Sequence, residues 1–175
     1  NELNSRLNAE SDIDGRLSVL LNDQKGLLIS ETHGSDLNGQ RFIVEHLDAL
    51  KKQGVTTIGL EHLRADLAQP LIDDYLKTGV LSAELEAMIL SKSEGHLMQL
   101  FEQAQSHGMK IIALDANSTA RYANEHGLMY RAGAANNVAV EKLNGLPEGE
   151  KFVVVFGEAH LKSHPGMDSP VPGIS

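Results

Sequence analysis

The sequence predicts an α/β fold: a mainly parallel β-sheet covered by helices, with the active site at the C-terminal ends of the strands. Three observations predict it. Short apolar runs alternate with longer stretches of helical spacing, and strands separated by helices pair in parallel, because a parallel connection needs a crossover. The strand runs are near-continuously apolar, as expected where both faces of a sheet are covered. Ionisable residues come directly after every one of these runs, and in an open parallel sheet ligands bind beyond the carboxyl ends of the strands.

Along the chain, the first 20 residues read as a helix, and Gly26-Leu-Leu-Ile-Ser30 is the first strand. Residues 36–53 place Ile43, Leu47 and Leu50 at helical spacing, with Ser35 and Asp36 able to cap the start and Gly54 to end it. The β-branched run Val55-Thr-Thr-Ile-Gly-Leu60 is the second strand. Two or three helical segments cover 66–107, with a break near Thr78-Gly79; Lys110–Asp115 is the third strand, 129–143 a helix and Lys151–Phe156 the fourth strand. The Gly- and Pro-rich tail, 157–175, reads as loop.

The 175 residues suit one domain, since domains run to roughly 100–200 residues. The chain begins at an Asn and stops at PVPGIS, so residues 1–175 read as a segment cut from a larger multidomain protein. A net charge of −9 argues against nucleic acid and against an anionic membrane surface as the main partner. The absence of cysteine removes disulfides, thiolate metal sites and a cysteine nucleophile. Tryptophan is absent and aromatics are only 4%, which removes a stacking platform for bases or sugars. There is no G-x-S-x-G elbow, phosphate-binding P-loop, G-x-G-x-x-G or H-E-x-x-H, so serine hydrolases of that type, NTPases, dinucleotide oxidoreductases and zincin proteases drop out.

The residues just past each strand carry the chemistry. Glu31-Thr32-His33-Gly34 comes after the first, Glu61 and His62 after the second, Asp115 after the third and Gly157-Glu158-Ala159-His160 after the fourth. Glu31 and His33 leave the same face if the extended backbone continues. Glu61 projects from the neighbouring strand end, and His160 sits on a loop that Gly157 lets turn. The constellation is Glu31, His33, Glu61 and His160. Two carboxylates and two imidazoles can hold a divalent metal through N and O ligands, or a carboxylate can activate water while a histidine handles protons. His62 points to the other side if the strand persists, which favours a structural role. Asp115 is divided evenly between cap and site. Gln69, Asp73 and Tyr75 are placed on a solvated helix face. His46, His96, His107 and His126 are read as structural or surface residues.

The segments LLISETHG, GVTTIGLEHL and FVVVFGEAHL resemble the pattern shared by erythromycin esterases, the ChaN haem-binding lipoproteins and the TIKI proteases. That pattern has a Glu-x-His after one strand, a Glu after the next and a late Gly-x-x-His. Within that superfamily the chain is most similar to the Ras/Rap-specific endopeptidase effector domains of the large MARTX toxins. The resemblance implies that Glu31, His33, Glu61 and His160 are catalytic, and that Arg131, Asn136 and Asn137 match positions lining the pocket; Arg131, Asn137 and His62 are taken as substrate contacts. It implies a secreted bacterial toxin effector acting in the host-cell cytoplasm. The implied reaction is hydrolysis of a peptide bond in the switch I region of Ras/Rap small GTPases. Residues 1–175 would then be a single catalytic lobe, and membrane contact would come only through domains outside it. No cofactor is expected, with a divalent metal left open through the Glu/His set. Two alternatives are an esterase acting on a small molecule and a non-enzymatic haem- or metal-binding or structural toxin module.

Overall fold

The computed structural model describes residues 2–31, 38–91, 96–115 and 128–161. The elements run α1 (Glu2–Ala9), α2 (Ile13–Leu21), β1 (Gly26–Glu31), α3 (Asn38–Lys52), β2 (Val55–Arg64), α4 (Ala65–Thr78), α5 (Ala83–Leu90) and α6 (His96–Ser106). They continue with β3 (Lys110–Asp115), α7 (Leu128–Asn144), β4 (Lys151–Gly157) and α8 (Glu158–Leu161). The expected alternation of strands and helices, and the parallel sheet, are what the chain adopts. The N-terminal helix is two: Asp12 caps α2 by accepting from the Gly15 N–H at 2.8 Å, which restarts the helix after residues 10–11. The break at Thr78-Gly79 is a left-handed cap, with Gly79 at φ 73° and its N–H bonded to the Tyr75 carbonyl. The expected caps Ser35 and Asp36 lie outside the described residues.

The four strands are all parallel, in the order β1-β4-β2-β3. The last strand is therefore central, between β1 and β2, which corrects the expectation that Glu31 and Glu61 rise from neighbouring strands. The physical reason is visible in composition. Phe152-Val-Val-Val-Phe156 is the most apolar run in the chain, and all five of these residues are fully buried, as a strand paired on both sides and covered on both faces must be. Its side chains alternate between two cores. Val153 and Val155 join Ile58, Leu60, Ile111 and Ala113 beneath α2 to α6. Phe152, Val154 and Phe156 join Leu114 beneath Ala139 and Leu143 of α7.

Two further details position the C-terminal edge of the sheet. β2 continues to Arg64, with an irregularity between Leu60 and Arg64 in its pairing with β3, so Glu61 and His62 lie within the strand rather than after it. At the outer side of β3, Gln69 of α4 supplies a peptide-like amide. Its Nε2 donates to the Ile111 carbonyl at 2.9 Å, and its Oε1 accepts from the Ala113 N–H at 2.8 Å. Gln69 thus closes part of an exposed strand edge, a device against unwanted pairing, and Tyr75 is a core residue at 7% exposure. Neither belongs to the solvated face expected of this helix.

Candidate active site

Three of the described strand ends carry buried ionisable side chains, and those of β1, β2 and the turn after β4 form two acid–imidazole pairs on opposite faces of the sheet. Glu31 is the last residue of β1 and the register partner of Gly157 in β4. Its carboxylate lies on the α3 side: a Cβ on Gly39 would stand 3.1 Å from Glu31 Oε2 and 2.9 Å from Val155 Cγ1. Glycine at 39 is what lets α3 approach this strand end so closely. On that face Glu31 Oε1 lies 2.5 Å from His62 Nε2, with both side chains buried. It is an ion-pair contact. Gln40 of α3, fully buried, brings its Nε2 to 3.4 Å from the same ring nitrogen. Among the described residues, Glu31 Oε2 and Gln40 Oε1 are buried without a hydrogen-bond partner.

The second pair lies on the α7 side. Glu61 comes two residues after Gly59, and Gly59 faces Val154 and Leu114 of the α7-side core. The Glu61 carboxylate is shared. Oε2 accepts the Gly157 N–H at 2.7 Å, and Oε1 stands 2.8 Å from His160 Nε2. The other ring nitrogen of His160, Nδ1, is 2.8 Å from Asn136 Oδ1, and Asn136 Nδ2 donates to the His160 carbonyl at 3.2 Å. Phe156 stacks on the imidazole with ring centroids 5.5 Å apart. Both carboxylates therefore flank Gly157: Glu31 by strand register, Glu61 through the backbone N–H.

His160 is not on a loop. It lies in the one-turn helix α8 that begins directly after β4, and this turn carries the ring back over Phe156 to Glu61. Of the four residues read as catalytic, Glu61 and His160 meet directly, Glu31 meets His62, and His33 lies outside the described residues. His62 is turned toward Glu31 at the strand end. Asn137 is exposed, Arg131 lies on α7 with its side chain outside the described residues, and Asp115 is buried opposite Arg64 at the end of β3. Asn136 and Gln40 have the larger geometric claim, and a sequence signal existed for each. Asn136, Ala139 and Leu143 form an i, i+3, i+7 stripe, and Gln40 extends the stripe of Ile43, Leu47 and Leu50. A polar residue on an apolar stripe is a buried polar residue, and it must find a partner. His107 is structural, with Nε2 3.1 Å from Asp48 and Nδ1 2.8 Å from the Gln103 carbonyl.

Burying carboxylates and imidazoles is costly unless they are paired. Chemically, the set offers carboxylates for a water and imidazoles for proton transfer. Among the described residues no three His, Asp or Glu side chains come together as a metal-holding group.

Known proteins share this chain's sequence and fold. Residues 4–175 match the family described as Pasteurella multocida toxin, C2 domain. The chain is 62% identical, over 178 residues, to the multifunctional-autoprocessing repeats-in-toxin of Vibrio vulnificus, covering 99% of the chain and 3% of that toxin. It is 27% identical over 172 residues to the dermonecrotic toxin of Pasteurella multocida, covering 95% of the chain and 13% of the toxin. The crystal structure of RRSP, a MARTX toxin effector domain from Vibrio vulnificus CMCP6, superposes with a TM-score of 0.88 at 63% identity, over 99% of the chain and 35% of that structure. The C-terminal region of Pasteurella multocida toxin, described for a thiol-protease like catalytic triad, shares the fold at a TM-score of 0.75 and 24% identity, over 99% of the chain and 24% of that structure. A chain without cysteine has no counterpart to a catalytic thiol. The chain thus spans a small part of each of these relatives.

Proposed function

The chain belongs to the Pasteurella multocida toxin C2-domain family, and from that premise we propose that it is the hydrolytic lobe of a bacterial toxin effector: an endopeptidase that cuts a peptide bond in the switch I region of Ras/Rap-type small GTPases inside the host cell. The catalytic set in this reading is Glu31, His33, Glu61 and His160, with Arg131, Asn137 and His62 as substrate contacts. The observation that carries the reading is the buried Glu61–His160 pair, 2.8 Å apart and held at the C-terminal edge of the sheet. High identity to a Vibrio toxin, and to a solved MARTX effector domain, supports the toxin role. The Glu-x-His, Glu-His and Gly-x-x-His pattern supports membership of the wider superfamily of TIKI proteases, ChaN lipoproteins and erythromycin esterases.

In this mechanism a carboxylate draws a proton from water as the water attacks the peptide carbonyl, and an imidazole protonates the departing amine. Incubation with purified Ras-type GTPases, with and without a chelator, followed by intact mass measurement, tests it. The expected result is two fragments whose masses sum to the GTPase plus one water; the chelator arm reads the metal requirement. An unchanged GTPase mass at high enzyme and long incubation overturns the proposal.

A further inference from the structure

We infer that Asn136 is a positioning residue that fixes His160 in the Nδ1–H form and thereby makes the Glu61–His160 pair the proton donor of the site. The inference rests on the hydrolytic reading above for its role, but its geometric core stands without it. The His160 carbonyl oxygen can only accept, so the Asn136 atom 3.2 Å away must be the amide nitrogen. That fixes the orientation of the amide and turns Oδ1 toward the ring, 2.8 Å from Nδ1. Oδ1 only accepts, so Nδ1 carries a hydrogen. Asn136 is itself buried, at 4% exposure, so it cannot exchange these partners for water without opening the α7 packing.

The consequence falls on the other nitrogen. Nε2 stands 2.8 Å from a carboxylate oxygen. An unprotonated Nε2 facing an unprotonated carboxylate would be repelled, so the ion pair carries one proton on that side: it is imidazolium with carboxylate, or imidazole with carboxylic acid. The Gly157 N–H bonded to Oε2 at 2.7 Å favours the carboxylate. In either form the pair holds one transferable proton. His160 therefore enters the reaction as an acid, and Glu61 serves as its counter-ion. During hydrolysis the water oxygen bonds to the carbonyl carbon as a carboxylate of the set takes the water's proton, the carbon–nitrogen bond breaks, and the proton of the pair passes to the departing nitrogen. The proton held by the carboxylate then restores the pair, so one water yields one acid and one amine. Asn136 acts through His160, as a carboxylate or amide does when it orients a catalytic imidazole.

Two readouts test this. The first is the nitrogen chemical shift of the His160 ring in histidine-labelled 175-residue chain, assigned by its loss in His160→Gln, with no substrate present. Nδ1 is expected to read as protonated, bonded to the Asn136 amide oxygen. In Asn136→Ala the Nδ1–H loses its acceptor and its nitrogen shift is expected to move, and in Asn136→Asp, which keeps an acceptor at that position, the parental signature is retained. The second is cleavage. Asn136→Ala lowers kcat by roughly 100-fold or more with KM little changed, and Asn136→Asp recovers most of the loss. An unprotonated Nδ1 in the parent chain overturns the inference, as does an Asn136→Ala ring signature identical to the parent. Were no GTPase cut, the ring signature would still decide the inference, so its failure is distinct from failure of the proposed activity. Because Asn136→Asp preserves side-chain volume, loss of folding in Asn136→Ala leaves a second variant to read.

Discussion

Replacing Glu61 by Ala and by Gln separates the two jobs its carboxylate performs. Ala removes both. The Gly157 N–H loses a charged acceptor, a hydrogen bond of about 1.5–3 kcal/mol, and His160 is left buried without its counter-charge. Taken together with that bond, breaking a buried pair from one side costs about 3–5 kcal/mol, and the shared 9% exposure of the two side chains leaves little water to repair it. Gln keeps an oxygen for Gly157 and turns an amide N–H toward Nε2 of a neutral imidazole, so its cost should stay near 1 kcal/mol, the net value of an ordinary hydrogen bond. In a chain of this size roughly 2–4 °C of melting temperature accompany each kcal/mol, which places Glu61→Ala about 6–20 °C below the parent and Glu61→Gln within a few degrees. Thermal and urea unfolding of the three chains at neutral pH measure this. If Ala and Gln unfold together, both close to the parent, then Glu61 and His160 do not hold each other as a buried pair, and the role assigned to their contact is wrong.

Other elements give independent outcomes. Gln69→Ala should lose two hydrogen bonds to the backbone of β3, about 1–3 kcal/mol, and expose a strand edge. Urea unfolding and sedimentation at rising concentration should show lower stability and more self-association. Phe156→Ala removes a fully buried ring that also supports His160; about 3–5 kcal/mol of stability should go with it, and Phe156→Leu should recover most of the loss in the same unfolding assay. Burial pushes the Tyr75 phenol above its ordinary value. Such a group adds stability that is whole below the ordinary tyrosine value of about 10 and is lost as pH rises through the raised folded value. Melting curves between neutral and strongly alkaline pH should show the parent losing stability relative to Tyr75→Phe only at the alkaline end.

Much of the architecture was legible because apolar runs and helical stripes obey local rules. The four strands, the left-handed stop at Gly79 and the long helix before β4 all arise from periodicity and from glycine. Strand order was not legible. Nothing in a parallel strand's own sequence says which partner it takes, and only the extreme apolarity of 152–156 hinted that β4 is central. That missing order misplaced Glu61 beside Glu31, when Gly157 stands between them. His160 was singled out by type and position, but its one-turn helix was hidden by the glycines and prolines further along the tail. Asn136 was named beside Asn137, but Asn137, the exposed one, was taken as the substrate contact; the buried stripe with Ala139 and Leu143 distinguishes them. His62 looked structural because alternation sends it away from Glu61. Alternation was right about direction, and in that direction lies Glu31.

The most direct test of the Glu61–His160 pairing is a double-mutant comparison of single-turnover cleavage of a Ras-type GTPase by the parent, Glu61→Gln, His160→Ala and the double variant, each shown to be folded at the assay temperature. Residues that act as one unit are strongly non-additive, so each single change should remove nearly all of the rate, with the double variant no slower than either. Losses that multiply, or a single variant that cuts as fast as the parent, would contradict the claim that Glu61 and His160 work as one proton-carrying pair.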